Sequence, residues 1–239
     1  SGGRRYSYTY TTRDSVKRLT QVKAETKTGG TWASPTGLAT VGTVDYAYYQ
    51  TGDNTYGDNG NLKLVTVTTP LSDAATSLVK KKYYRYWKGA YNASTNPGSA
   101  NTIQLVVGFE GARKFDRDQD SILDDDFLTA SLANLKPYAD TYLEYDSSYR
   151  VNKSFFNGEC GCSGGNNGQY SLSFDQAGSY STYIGNTSYD TAWATRTILT
   201  RPDATYETRY FDESGQPLGR VVTDTAPTGA FTKMWGTDV

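Results

Sequence analysis

The acidic run from Asp116 to Asp126 is the stretch whose residue types and spacing best suit a chemical role. Carboxylates at alternate positions can wrap a hard cation, because calcium prefers oxygen ligands. At the sixth position of the calcium-loop pattern, Ser121 replaces the usual glycine. Phe127 stands where an acid should complete the ligand set, so Asp125 or Asp126 would have to take its place. The alternative is a solvated acidic loop that caps the following helix. The predicted calcium ligands are Asp116, Asp118, Asp120, the Ile122 carbonyl, Asp124 and Asp126.

Cys160 and Cys162 are the only cysteines of the chain. Two thiolates without histidine cannot complete a tetrahedral zinc site within one chain. Three alternatives remain open: a tight disulfide between them, disulfides to neighbouring subunits, and free thiols. Either kind of disulfide indicates an oxidising exterior, whereas free thiols suit a cytosol.

Three positions, Asn92, Asn152 and Asn186, match the acceptor pattern for N-linked glycan. So short a pattern arises often by chance in a chain rich in asparagine and serine. Exposed serine and threonine could carry O-linked sugar instead. The four tryptophans could stack on carbohydrate, but packing in a core or a subunit interface is the stronger expectation. They are Trp32, Trp87, Trp193 and Trp235.

The chain contains no histidine, which removes the commonest general base and the commonest metal ligand. A hydrolase built on Glu110, Glu144 and Asp146 can be drawn, but nothing sets two of these acids at a defined separation. Asp146 and Asp212 have a better structural role as acceptors of backbone hydrogen bonds at hairpin turns. We therefore expect a non-enzymatic protein with no catalytic residues.

Tyrosine dominates the large side chains, with 21 Tyr against 8 Phe and 4 Trp. A tyrosine packs its ring on a pleated surface while its hydroxyl reaches water or a carbonyl, which suits a thin sheet wetted on one side. The formal net charge of −1 gives no long-range field to attract nucleic acid or an anionic membrane. No apolar run approaches the roughly 20 residues that span a bilayer, so no membrane span is expected.

Alternation with period two predicts half-buried strands along most of the chain. Examples run from Tyr6 to Tyr10, from Leu62 to Val67, from Tyr83 to Tyr86 and from Tyr206 to Tyr210. Asn-Gly and related turn signals separate them, which indicates consecutive hairpins. The predicted fold class is therefore all-β, with antiparallel hairpins in an extended or spiralling sheet.

One segment, residues 131–138, departs from this alternation. Leu132 and Leu135 have helical spacing, Ser131 suits an N-cap and Pro137 a stop, which predicts a single short helix. The glycine-rich stretch after Asn157 divides the chain only weakly, into residues 1–157 and 158–239. One continuous domain is the alternative.

A tyrosine-strand phrase recurs along the chain. It runs from Tyr142 to Val151 as Tyr-Leu-Glu-Tyr-Asp, a turn and Arg-Val, and returns loosely after Tyr6, Tyr46 and Tyr206. This succession resembles the YD repeat of bacterial Rhs and teneurin-type proteins. More narrowly, the order of a tyrosine-rich strand, a short helix ending near Asp140, the Tyr-Leu-Glu-Tyr-Asp phrase and a Cys-x-Cys-Ser-Gly-Gly loop resembles the Rhs-repeat proteins of planctomycetes and related environmental bacteria. The resemblance implies hairpins that coil into a continuous sheet. Irregular spacing departs from a regular spiral, and the Asp-Pro-x-Gly-Leu element that precedes the toxin in toxin-carrying Rhs proteins is missing.

These observations favour a structural role in a secreted or cell-surface bacterial fibre, sheath or shell, either as a homopolymer or packed within a longer chain. The first alternative is an adhesion or carbohydrate-binding module whose loops present tryptophan and aspartate. The second is a segment of an Rhs shell that encapsulates a toxin. The start at Ser1-Gly2-Gly3 favours processing from a longer precursor, with simple removal of the initiator methionine as the alternative.

Overall fold

The fold is described from a computed structural model that covers residues 4–33, 35–53, 55–71, 77–116, 126–156, 168–181, 193–227 and 234–238. It divides into two compact units, Ser1–Asp140 and Thr141–Val239. The division falls after Asp140 rather than at the glycine-rich stretch after Asn157.

The chain is all-β, and its strands form consecutive antiparallel hairpins, as the alternating sequence predicts. Within each unit every strand pairs with its neighbour in sequence. The first unit contains β1 (Arg4–Arg13), β2 (Val16–Gly30), β3 (Pro35–Tyr48), β4 (Leu62–Pro70), β5 (Ser77–Tyr86) and β6 (Ile103–Val107). The second unit contains β7 (Thr141–Tyr145), β8 (Val151–Phe156), β9 (Gln169–Ser181), β10 (Trp193–Thr200), β11 (Tyr206–Phe211), β12 (Pro217–Thr223) and β13 (Met234–Asp238).

The predicted helix near residues 131–138 is present as α2 (Leu132–Leu135), followed by a 3-10 turn over Lys136–Tyr138. The Ser131 side chain caps α2 by accepting the N–H of Asn134 at 3.2 Å. Pro137 lies in the first turn of the 3-10 segment, where its missing N–H costs nothing.

A second helix, α1 (Phe109–Asp116), and a 3-10 turn over Asp126–Leu128 were not expected from the sequence. Gly111 has low intrinsic helix propensity, and it weakens the helical signal of this segment. The fold nevertheless needs glycine here, because a Cβ at position 111 would lie 2.0 Å from the Tyr138 carbonyl oxygen. Close packing of α1 on the 3-10 turn over Lys136–Tyr138 thus requires glycine at position 111.

The sheet from β1 to β4 is a single layer. Tyr8, Val22, Val44 and Val67 lie directly opposite one another in a row across its four strands. None of these four residues is buried, and in these strands the structure buries only Glu25. The next row on the other face is polar and consists of Thr9, Gln21, Asp45 and Thr66.

In the described part of the first unit, helical cover lies over the last two strands. The α1 helix contacts β5 and β6, and Tyr83, Leu105 and Val107 on these strands are fully buried. Phe127 meets Tyr83 edge to face, with ring centroids 5.5 Å apart. Leu135 is also fully buried. The core of this unit is therefore small and lies at one end of the sheet.

The described part of the second unit has its own small apolar cluster. Trp193, Tyr210 and Val221 form a buried cluster, with Leu218 packed against it. The rings of Trp193 and Tyr210 meet edge to face at 5.8 Å, a favourable aromatic geometry. Apolar burial thus comes from a few large side chains rather than from a continuous layer.

Three turns of the second unit share one hydrogen-bond pattern. In residues 146–150, 201–205 and 212–216 the first N–H donates to the fifth carbonyl, and the fourth N–H donates to the first carbonyl. The fourth residue has positive φ in each turn: Tyr149 at 62°, Ala204 at 62° and Gly215 at 78°. Two of the three turns thus place a side chain in the left-handed region, which favours glycine.

Asp146 and Asp212 accept backbone hydrogen bonds at these turns, as the sequence predicts. Oδ1 of Asp146 accepts from the N–H groups of Ser148 at 2.8 Å and Arg150 at 3.0 Å. Oδ1 of Asp212 accepts from those of Ser214 and Gln216, both at 2.8 Å. The aspartate of each tyrosine phrase therefore sets the turn, and the turn sets the register of the flanking strands.

We expect Tyr149→Gly and Ala204→Gly each to raise the free energy of unfolding, by up to about 1 kcal/mol, because glycine adopts positive φ without strain. Tyr149 is 66% exposed, so its removal costs little packing. Gly215→Ala is the matched control and should lower the free energy by a similar amount. Urea unfolding followed by circular dichroism measures all three, and a loss of stability in both glycine variants would contradict the strain argument.

Candidate functional site

Several predicted site residues lie outside the part of the chain that the structure describes. Asp116 ends α1 and Asp126 begins the next 3-10 turn, but their side chains and all of residues 117–125 are not described. The calcium site therefore stays a prediction. Cys160, Cys162 and Asn186 also fall outside the described ranges, so the disulfide at the two cysteines and the glycosylation of Asn186 stay predictions. Among the residues that are described, no three or more acids or cysteines are grouped so as to hold a metal ion.

The two other glycosylation positions occupy different surroundings. The Asn92 side chain is exposed, and its Oδ1 accepts the N–H groups of Ser94 and Thr95 at 3.0 and 3.1 Å. Oδ1 of Asn152 is buried and has no hydrogen-bond partner in the described chain, and Ser154 of the same pattern is buried. Asn152 as a whole is half-buried, so it is less accessible than the exposed Asn92.

The acids considered for hydrolysis are held by cations or backbone donors. Arg113 pairs with exposed Glu110 at 2.9 Å and lowers its pKa. Glu144 pairs with Lys153 at 2.8 Å and accepts the Tyr142 hydroxyl. Burial acts to raise the pKa of Asp146, but hydrogen bonds from Arg150 and Ser148 outweigh it and lower that pKa. Neither Glu110 nor Asp146 has the raised pKa that a general acid requires.

Arg85 is the most enclosed charge in the first unit, with no exposed surface. Its guanidinium lies 3.6 Å from the ring centroid of Tyr56. Nε donates to the Tyr83 hydroxyl at 3.1 Å, and Nη2 donates to the carbonyls of Phe127 and Ala130 at 3.2 and 2.6 Å. The side chain thereby ties β5 to the 3-10 turn over Asp126–Leu128 and to the loop that follows it.

No carboxylate pairs with Arg85 among the described residues. Nη1 is buried and has no hydrogen-bond partner there. Carbonyl oxygens and aromatic rings therefore compensate the charge, which is costly to bury without such partners. Arg85 thus holds β5, the 3-10 turn and the following loop together from a position without exposed surface.

The second charged centre is Glu207 on β11, whose side chain is 4% exposed. Arg220 of β12 donates to both of its oxygens, with Nε at 2.8 Å and Nη2 at 2.9 Å. Arg209 donates through Nε at 2.8 Å, and Arg201 donates to Oε2. Three guanidinium groups therefore converge on one carboxylate.

The ion pairs keep Glu207 charged at neutral pH. Hydrogen bonds from Arg220 are the largest influence, and with those from Arg209 they outweigh burial and lower the pKa of Glu207 to about 2. A carboxyl group with so low a pKa cannot donate a proton near pH 7. The arrangement locks three neighbouring segments, the turn after β10, β11 and β12, by charge-assisted hydrogen bonds.

The tryptophans divide between core and surface. Trp87 and Trp193 are buried, as the packing interpretation expects, whereas Trp32 is 38% exposed. The Trp235 side chain is outside the description. Tyr6, Tyr8 and Tyr10 are between 49% and 58% exposed and share one face of β1. Aromatic surface that could touch a partner therefore lies mainly on tyrosines, which the tryptophan argument did not consider.

No family model matches the chain, and no curated protein has a matching sequence. Among the described residues, no helix is long and apolar enough to cross a membrane. The case for a function thus depends on the geometry of the chain itself.

Sequence reasoning missed both buried charge centres. Arg85 belongs to the run Tyr83 to Tyr86, where alternation puts it on the same face as Tyr83. Glu207 and Arg209 alternate within the strand from Tyr206 to Tyr210. The available signal was that each charged residue lies inside an alternating strand that also contains buried aromatic residues. It was overlooked because an alternating charge usually faces solvent.

We expect Arg85→Ala to lower the free energy of unfolding by about 2 to 4 kcal/mol, because it removes a fully buried side chain and leaves buried acceptors without a donor. The loss of donors would leave the carbonyls of Phe127 and Ala130 without their partner. Arg113→Ala is the control, because Arg113 pairs with Glu110 on an exposed helix surface where such pairs contribute little. Urea unfolding would count against this role if the two variants behaved alike.

We expect the free energy of unfolding to fall between about pH 4.5 and about pH 2 as Glu207 is protonated. A carboxylate whose folded-state pKa is lowered stabilises the fold above its unfolded value and loses that effect as pH falls through the folded value. Glu207→Gln should remove this part of the pH dependence and cost about 2 kcal/mol at pH 7. Urea unfolding across this pH range, with Glu110→Gln as the exposed control, measures the effect. An unchanged pH profile in Glu207→Gln would refute it.

Proposed function

We propose that the chain is a non-enzymatic structural subunit or segment of a secreted bacterial fibre, sheath or shell. The observation that carries this proposal is the single-layer sheet of β1 to β4. Its apolar row, Tyr8, Val22, Val44 and Val67, has no second layer over it in the described structure. A sheet with one apolar face is stable when that face packs on another layer. A neighbouring subunit would supply the layer.

The two charged centres support the same proposal. Arg85 is fully enclosed, and Glu207 is held as a permanent anion by three arginines. Both use their polarity to join segments of the fold, so neither is left to bind or turn over a substrate. A protein whose buried charged side chains hold its own segments together is suited to an architectural role.

Substitutions on opposite faces of the sheet test the proposal. Val44→Lys places a charge on the apolar face, and Thr66→Lys places the same charge on the polar face at a similarly half-buried position. Sedimentation velocity over a range of concentrations, with electron microscopy, should show assemblies for the unmodified chain and Thr66→Lys, but not for Val44→Lys. A chain that stays monomeric at every concentration would overturn the proposal.

An adhesion module is the second candidate, favoured by the exposed tyrosine rings of Tyr6, Tyr8 and Tyr10 on one face of β1. Such rings can stack on flat sugar faces. Binding of the purified monomer to a glycan array, lost in Tyr8→Ala, would favour adhesion. Assembly without glycan binding would favour the structural role.

A further inference from the structure

The arginines around Glu207 carry more charge than this carboxylate neutralises. Arg201, Arg209 and Arg220 all form ion pairs with it, which leaves a formal excess of two positive charges. In the part of the chain that the structure describes, Glu207 is the only ion-pair partner of the three arginines. The cluster therefore has room for a further negative charge.

The other cations among the described residues of the second unit each have an acid of their own. These pairs, all with a closest distance of 2.8 Å, are Arg150 with Asp146, Lys153 with Glu144, and Arg196 with Asp175. Composition does not explain the excess at Glu207, because Thr141–Val239 contains 7 basic and 11 acidic residues. The positive charge is concentrated by the fold.

Strand register brings the three arginines together. Arg209 of β11 lies directly opposite Arg220 of β12, and like charges in opposite positions destabilise a sheet. Glu207 lies two residues before Arg209, on the same face of the strand. Arg201 begins the turn after β10, where its backbone N–H donates to the Thr205 carbonyl at 2.9 Å. Two paired strands and a hydrogen-bonded turn thus fix the backbone of the cluster.

Glu207 orients the guanidinium groups but does not use all of their donors. Each guanidinium carries five N–H donors. Arg220 donates through Nε and Nη2 at 2.8 and 2.9 Å, and Arg209 directs the same two atoms to Oε1 at 2.8 Å each. This pairing occupies one edge of each planar group and leaves the edge between Nη1 and Nη2 turned away from the carboxylate.

Exposure increases from the carboxylate outward. The Glu207 side chain is 4% exposed, whereas that of Arg209 is 61% exposed, and Arg201 and Arg220 are partly exposed. A ligand in solvent can therefore reach the outer donors, while a buried anion holds the arginines in place. Side chains that are already held lose less conformational entropy when they bind a ligand.

Asp203, in the same turn as Arg201, does not remove the charge excess. Its Oδ1 accepts the N–H and the hydroxyl of Thr205 at 3.0 and 2.7 Å. These hydrogen bonds, and then the charge of Arg201, lower the pKa of Asp203. Asp203 forms no ion pair with an arginine among the described residues, so it acts on Arg201 only at longer range.

We propose that Arg201, Arg209 and Arg220 bind a divalent tetrahedral oxyanion, a phosphate or sulfate group, through their outward edges. The excess of two positive charges matches the about two negative charges of a phosphate group at neutral pH. Two adjacent N–H groups of a guanidinium match the spacing of phosphate oxygens. A long polyanion is less suited, because acidic residues outnumber basic ones in this unit. The site does not depend on assembly of subunits.

Equilibrium dialysis of the whole chain against labelled inorganic phosphate tests the site. We expect one phosphate per chain, and Arg209→Gln should weaken binding by about tenfold or more, because it removes charge-assisted hydrogen bonds. Arg113→Gln is the control, since Arg113 is 56% exposed but pairs with its own acid, Glu110. It should bind phosphate like the unmodified chain. Equal weakening in both variants, or no binding at millimolar phosphate, would overturn the site.

Arg209→Lys distinguishes an oriented site from attraction by charge alone. Lysine keeps the charge but lacks the planar pair of donors, so phosphate binding should weaken in this variant too. Binding as tight as in the unmodified chain would overturn the proposal. Circular dichroism checks that both variants at position 209 keep the sheet. If Arg209→Gln does not fold, the result with Arg209→Lys decides.

Competition identifies the class of anion. Sulfate should displace labelled phosphate, whereas chloride and acetate at the same ionic strength should not, because each carries a single charge. Displacement by chloride as effective as that by sulfate would overturn the preference for a divalent oxyanion. Glycerol phosphate separates the two sources of a phosphate group. Tighter binding than that of inorganic phosphate would assign the site to a phosphate ester, and weaker binding would assign it to the free ion.

Discussion

Backbone hydrogen bonding between strands adjacent in sequence is the constraint on which the rest of this structure depends. Within each unit a strand finds its partners immediately before and after it in the chain. Where the turn is short, as between β1 and β2, β7 and β8, β10 and β11, and β11 and β12, it keeps the loop-closure cost small and fixes the pairing register. The three turns with one hydrogen-bond pattern show the same solution used repeatedly, with an aspartate as acceptor in each.

Each further hairpin widens such a sheet but leaves it one layer thick. Among the described residues of the first unit, α1 packs on β5 and β6, whereas the strands from β1 to β4 keep two half-exposed faces. Little apolar volume is enclosed, and buried charged networks take over part of the cohesion. Arg85 donates hydrogen bonds to carbonyls of a 3-10 turn and of the loop after it. Glu207 accepts hydrogen bonds from three arginines on its own and neighbouring segments. Each network ties together segments that apolar contact alone would hold weakly.

Charge is distributed unevenly although the whole chain is nearly neutral. The formal net charge of −1 combines a basic first unit with an acidic second one. A near-zero total gives no reason to expect a polyanionic partner. The asymmetry instead favours contact between unlike parts of two copies, since opposite potentials steer association and fix its direction.

The sequence alone determined the strands, the hairpins, the aspartates of the turns and the short helix after Ser131. These features follow from local rules: alternation with period two, residues that tolerate positive φ or accept nearby N–H groups, and a cap followed by proline. Only the tertiary structure decided that α1 forms around Gly111, that helices cover β5 and β6, and that Arg85 and Glu207 are buried. Alternation tells which residues share a face, but not which face another segment will cover. That choice depends on contacts between residues far apart in the chain, which no local pattern records.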